Sequence, residues 1–202
     1  MIIQPNKPGL VRPPKGGLIY EPEGYYPGEV VVHETFQQAR AEMIDRDMTV
    51  SRRYQEQQWR ALRIGAHPQI IEFTVMFIAK MKKLNIPMYP NEIVRTHARQ
   101  KQLVQEGKSK AQGAKAPHPY GCAVDIVHSV HGWSLSKKQW QLVGQLGKEL
   151  AIQRGIAIVW GGDWPPLVEQ VGWDPAHWQL KHWREDMTGF PFMPQNNGSQ
   201  RR

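Results

Sequence analysis

The chain has 202 residues, with 26 Lys+Arg against 18 Asp+Glu, a formal charge of +8 and a single cysteine. That length supports a hydrophobic core without covalent staples, a lone cysteine excludes an intramolecular disulfide, and no run approaches the ~20 apolar residues of a membrane-spanning helix. The positive balance favours an acidic partner, whether nucleic acid, an anionic membrane or an anionic wall polymer, and does not choose among them.

Residues 1–34 are dense in Pro and Gly. Fixed φ angles and missing N–H groups exclude a regular helix or central strand there, so an extended arm is expected. Pro5 and Pro8 interrupt the start too early for the basic-then-apolar pattern of a signal peptide, and synthesis in the cytoplasm is expected. Over 35–66 the composition turns to Gln, Arg, Glu and Ala, which predicts a helical extension with Thr35 and Ser51 as N-caps. A third helix is predicted over 68–84, opened by Pro68, with Ile70, Ile71, Phe73, Thr74, Phe77, Ile78 and Met81 recurring at three- and four-residue steps along a buried face. Pro87 and Pro90 bracket a break, after which 92–96 predicts a short strand and 98–106 a helix closed by Gly107. A basic loop with Lys108, Lys110 and Lys115 leads to a strand over 122–127, apolar but for Asp125. Ser136 caps a helix running to about 153, Gly155 ends it, and strands are predicted over 156–160 and 177–180. The last stretch, 189–202, is a polar basic tail. Long helices preceding and separating a few strands predict an α+β fold.

Asp125 inside Ala-Val-Asp-Ile-Val must be paired, face solvent or bind a cation, because an unpaired buried charge is very costly. An outward-facing position on an edge strand is the plain alternative. His118 precedes it by seven residues across a Pro-Tyr-Gly turn, and Asp174-Pro-Ala-His177 follows the Gly-Gly pair of 160–164. Paired glycines after a strand permit close backbone approach or a sharp turn. Two histidines and one carboxylate with an open fourth position form a catalytic zinc set, and Asp174 then stands nearby as a proton acceptor. Cys122 invites a thiol-peptidase reading, but it opens an apolar strand rather than a helix N-terminus and reads as core. Asp163 is either a partner for a ligand histidine or a cap for the Gly-Gly turn. His128 and His131 follow the Asp125 strand and could line a cleft.

The string His118-x-x-Gly121-x-Ala123-x-Asp125 resembles the first metal motif of the zinc D-alanyl-D-alanine carboxypeptidase and L-alanyl-D-glutamate endopeptidase family, which includes vancomycin-resistance-type peptidases and phage endolysins. Arg95-Thr96 through Gln100, Leu103 and Gly107-Lys108-Ser109, then Trp160-Gly-Gly-Asp-Trp164, then Asp174-x-x-His177 agree with that family in order and spacing. The resemblance spans about 87–180. It implies a small, mostly antiparallel sheet flanked by helices with one zinc in the cleft. His118, Asp125 and His177 would hold the zinc, Asp174 would be the general base, and Arg95 would bind substrate and stabilise developing charge. Gln100 and Trp164 would contribute to the substrate site. Aspartate at the base position tilts the expectation toward cleavage between L-alanine and D-glutamate of the peptidoglycan stem. The alternatives are a D,D-carboxypeptidase trimming terminal D-alanine and a non-catalytic wall-binding or virion protein. Ala116 stands where the family usually carries a small polar residue two before the first ligand, and residues 1–66 have no counterpart in it.

On this reading 1–34 is an arm, 35–66 a helical extension, 67–188 a zinc peptidase domain and 189–202 a tail. The expected partner is peptidoglycan, with anionic wall or outer-membrane polymers contacted by the lysine-rich loop. Tryptophans gathered between Trp133 and Trp183 would either pack the core or wall a cleft. Nucleic acid is not expected, because no recognition-helix or stacking pattern accompanies the charge. The expected protein is a monomer acting in the periplasm or cell wall, reached by lysis, a pore or carriage on a virion.

Overall fold

The computed structural model describes residues 35–107, 109, 111 and 115–186. The expected arm over 1–34, the tail over 189–202, and Lys108 and Lys110 lie outside them. Helix α1 (Phe36–Met43) opens at Thr35, whose hydroxyl accepts from the Gln38 N–H while the Gln38 side chain accepts from the Thr35 N–H, the reciprocal capping box. Where the sequence predicts one helix up to Ser51, the structure has two. Asp45 starts α2 (Arg46–Val50) by accepting from the Met48 N–H at 2.8 Å, and its own N–H donates to the Asn85 carbonyl. Ser51 then caps α3 (Arg52–Gln58), as expected. Helix α4 (Pro68–Lys83) begins with its proline and buries Ile70, Phe73, Thr74, Phe77 and Met81. No helix among the described residues is long and apolar enough to cross a membrane.

Four strands, β1 (Met88–Glu92), β2 (Ala123–His128), β3 (Ile158–Trp160) and β4 (His177–Leu180), form one antiparallel sheet in the order β1-β2-β4-β3. The strand predicted over 92–96 is displaced: β1 ends where it was expected to begin. Pro90 is tolerated inside β1 because this is an edge strand paired with β2 alone, and the register shifts between Pro90 and Glu92. Ile93 and Val94 are buried in the connection to α5 (His97–Gln105), which Thr96 caps. Helix α6 (Lys137–Arg154) carries a Ser136–Gln139 capping box and ends at Gly155 with φ +65°. A short α7 (Trp183–Asp186) follows β4.

Strand periodicity separates the two faces of the sheet. Val124 and Ile126 of β2 and Trp178 and Leu180 of β4 are buried together in the core, Val124 directly opposite Trp178. Phe73 and Phe77 of α4 close on the Trp178 ring at 5.2 and 5.4 Å, and Trp160 stacks on it at 5.7 Å. Burying each such side chain is worth about 1.5–3 kcal/mol. Met43 and Ala61 belong to the same core cluster, so the 35–66 segment and the sheet share one hydrophobic interior.

Helix α6 passes over these rings on its glycines. A Cβ on Gly147 would lie 2.3 Å from the Trp178 ring, and one on Gly144 would lie 2.4 Å from the Trp160 ring. Gly147→Ala would gain about 1 kcal/mol of helix propensity. Overpacking against a ring held on three sides costs about 1–3 kcal/mol, so the variant is expected to unfold at lower urea than wild type. An equal or higher midpoint would show that the Trp178 ring is not pinned.

Candidate metal centre

The sheet face opposite the core carries the polar residues of the same strands. In the β2–β4 register Asp125 stands directly opposite His177, and on the other side Glu92 of β1 pairs with Asp125. One cross-strand row therefore runs Glu92–Asp125–His177. Asp125 is on a central strand, so the outward-facing edge position is excluded. His118 arrives from a 3₁₀ turn, His118–Tyr120, closed by Gly121 at φ +68°. A Cβ at Gly121 would meet the Gly65 carbonyl oxygen at 2.3 Å, so only glycine brings this turn against the 65–67 segment.

Three donor atoms converge. His118 Nε2 lies 3.2 Å from Asp125 Oδ1 and 3.2 Å from His177 Nδ1, and His177 Nδ1 lies 3.1 Å from Asp125 Oδ1. The opposite ring nitrogens are engaged elsewhere. His118 Nδ1 donates to the Ile93 carbonyl at 2.9 Å, and His177 Nε2 donates to Gln179 Oε1 at 3.1 Å. Each ring thus spends its proton outward and turns a lone pair toward the other and toward a carboxylate. Two lone pairs and an anionic oxygen at such distances repel unless a cation or a proton lies among them. Donors around one tetrahedral zinc at ~2.0–2.1 Å stand about 3.3 Å apart, close to what is found. The buried His118–Asp125–His177 group could hold a metal ion. The Ile93 carbonyl orients the His118 ring.

Burial opposes charge on Asp125, but when a proton rather than a cation lies among the three atoms, the charge of His118 and hydrogen bonds from His118 and His177 hold its carboxyl well below the usual carboxylate range. Burial likewise disfavours a charged His177, yet its hydrogen bond to Asp125 and that residue's charge prevail and raise the imidazole. Asp174 shows the reverse: burial, reinforced by the charge of Asp125, pushes its carboxyl up. Its side chain lines a cavity of about 780 Å³ together with the three donors, Arg95, Trp164 and Trp173.

Arg95 is 9% exposed and locked. It donates to Glu92 through Nε at 2.8 Å and through Nη2, and to Gln100 Oε1 through Nη1 at 2.7 Å, while Nη2 stands 3.5 Å from Asp125 Oδ2. Gln100 is fully buried behind it, its amide donating to Ser109 Oγ and the Ala111 carbonyl. Gln100, expected to contribute to the substrate site, lies behind Arg95 and is not among the residues lining the cavity. Trp164 lies on the His177 ring at 5.1 Å and on Trp173 at 5.3 Å, at the cavity wall. The Gly-Gly pair acts by close approach: a Cβ on Gly161 would lie 2.2 Å from the Asp174 carbonyl oxygen.

Other readings shift. Asp163 neither backs a histidine nor caps the turn; it pairs with Lys148 at 2.9 Å on the surface. His128 is in the core rather than the cleft, bonded through Nε2 to the Met43 carbonyl at 3.0 Å. Cys122 is buried, and its thiol is pushed up to about 11 by burial and then by Asp186, which fits a core residue and not a nucleophile. Sequence reasoning missed Glu92 and Gln179, the partners of Arg95 and His177. Their spacing, three before Arg95 and two after a strand histidine, was the available signal.

A metal ion held by these donors would compete with the His177 proton for one place. Because Asp125 raises the His177 imidazole, this competition begins at a higher pH than for a free histidine. Apparent zinc affinity, measured by calorimetry in several buffers, is expected to fall by about tenfold per pH unit below that point, with proton release on binding. Affinity constant between pH 5 and 7 would contradict the assignment.

The chain matches no protein-family model and no curated protein. Among solved structures it is similar to the L-Ala D-Glu endopeptidase ChiX of Serratia marcescens, with 28% identity, 67% of this chain and 91% of that chain covered, and a TM-score of 0.49.

Proposed function

We propose that this chain is a zinc-dependent peptidoglycan peptidase that hydrolyses the L-alanyl-D-glutamate bond of the stem peptide. The observation that carries the reading is the convergence of His118 Nε2, Asp125 Oδ1 and His177 Nδ1 in a cavity that Asp174 also lines. Zinc bound to these three donors would supply Lewis acidity, lowering the pKa of water and polarising the scissile carbonyl. The protein's own groups then divide the work. Asp174, raised by burial and making no hydrogen bond to another described side chain, takes the proton of the attacking water and returns it to the leaving amide nitrogen. Arg95 holds Oδ2 of Asp125 so that Oδ1 faces the imidazoles, and it keeps a cation at the cavity wall where carbonyl charge develops. Trp164 and Trp173 give the cavity an apolar side. The choice of bond follows the motif resemblance, in which aspartate at 174 accompanies endopeptidase activity. The protein would act at the cell wall as a monomer, its cationic surface favouring anionic wall polymers.

Mass spectrometry of digested peptidoglycan tests this. Stem peptides beginning at D-glutamate are expected, abolished by a chelator and restored by zinc. Loss of terminal D-alanine alone would make the protein a carboxypeptidase, and an unchanged wall with zinc bound would make it a binding protein. Asp174→Asn is expected to retain zinc and lose about 10²- to 10⁴-fold in turnover; near-wild-type turnover would remove Asp174 as the base.

A further inference from the structure

The cavity floor and rim differ in charge. Its acidic residues, Glu92, Asp125 and Asp174, are part-buried at the floor, whereas its exposed charged lining residues, Arg60, Arg99, Lys115 and Arg184, are all cationic. Arg184 lies over the Trp183 ring at 4.5 Å. Arg60, Arg99 and Lys115 pair with no carboxylate among the described residues, although exposed cations elsewhere do, Arg52 with Glu56 and Lys148 with Asp163. They come from three separate parts of the chain, the α3–α4 connection, α5 and the loop before His118.

Arg60 belongs to the helical extension, yet its segment is sewn to the elements that carry the metal centre. The Gln58 side chain donates to the Met88 carbonyl of β1. The Leu62 carbonyl accepts from the Val94 N–H at 3.1 Å, one residue after the Ile93 carbonyl that orients His118. The His67 N–H donates to the Gly121 carbonyl at 2.9 Å, at the end of the His118 turn. Arg60 is thereby held at the cavity by the same backbone that positions the first donor.

We propose that Arg60, Arg99 and Lys115 form an anion-reading rim, selecting a substrate that carries a free carboxylate away from the scissile bond, and that the helical extension is in this way part of the substrate site. The proposal rests on the peptidase reading for the identity of the substrate. Convergent cations over a partly enclosed cavity focus their field on one ligand, and a guanidinium matches a carboxylate in a two-point hydrogen-bonded pair.

The test is binding, read by tryptophan fluorescence, of two peptides to the zinc-loaded full-length Asp174→Asn protein. The peptides are N-acetyl-L-alanyl-D-isoglutamyl-L-lysine and its C-terminal amide, which keeps the α-carboxylate beside the scissile bond and lacks the free carboxylate of the third residue. About tenfold tighter binding of the free-acid peptide is expected. Adding Arg60→Gln should cut that preference roughly threefold, and Arg60→Gln/Arg99→Gln/Lys115→Gln should bring it to within about twofold of unity. Arg53→Gln removes equal charge from the same extension outside the cavity lining and should leave the preference intact. No preference, a preference that survives the triple substitution, or an equal loss in Arg53→Gln would overturn the rim. If the protein with Asp174 intact fails to cut the free-acid peptide while the preference and its response to substitution hold, the rim stands and the peptidase reading falls.

Discussion

Two imidazole lone pairs and a carboxylate oxygen face one another at 3.1–3.2 Å, and the surrounding structure serves to hold them there. Without a positive charge among them this arrangement is repulsive. It persists because each ring's outer nitrogen is committed, to the Ile93 carbonyl for His118 and to Gln179 for His177, and because Arg95 holds the second oxygen of Asp125. Removing any of these outer partners would free a ring or the carboxylate to rotate without touching the donors themselves.

The fold produces this geometry by a short chain of causes. Alternation along β2 and β4 sends Val124 and Trp178 into the core and leaves Asp125 and His177 opposite one another on the other face. The core must be rigid for that register to hold, and the cluster of Phe73, Phe77, Trp160 and Trp178 under the glycines of α6 makes it so. Gly121 and Gly161 bring the His118 turn and the Asp174 loop closer than any side chain would allow. The 58–67 segment closes the assembly by bonding to both β1 and the His118 turn.

Much of this was legible in the sequence where local chemistry dominates. The caps at Thr35, Ser51 and Ser136, the apolar face of α4 and the C-terminal glycine of α6 follow from rules acting within one or two turns. The donors were legible because two histidines and a carboxylate inside otherwise apolar or glycine-rich strings have few inexpensive explanations. What was not legible depends on neighbours distant in sequence. The position of β1 turns on its being an edge, which makes Pro90 acceptable and cannot be known before the sheet order. Asp163 went to Lys148, and His128 to a carbonyl of α1. Gln100 carries no mark of lying behind Arg95 rather than beside it. Arg60 stands in a polar helical stretch with no periodic signal, and only the backbone bonds of its segment reveal that it borders the cavity.

Zinc-edge X-ray absorption on the zinc-loaded protein addresses the converging donors most directly. The expected spectrum has two imidazole nitrogens and carboxylate or other light-atom ligands at ~2.0–2.1 Å. Equimolar zinc should be lost in His118→Ala. A sulfur shell, or full zinc occupancy retained in His118→Ala, would place the ion elsewhere and remove the foundation of the proposed chemistry.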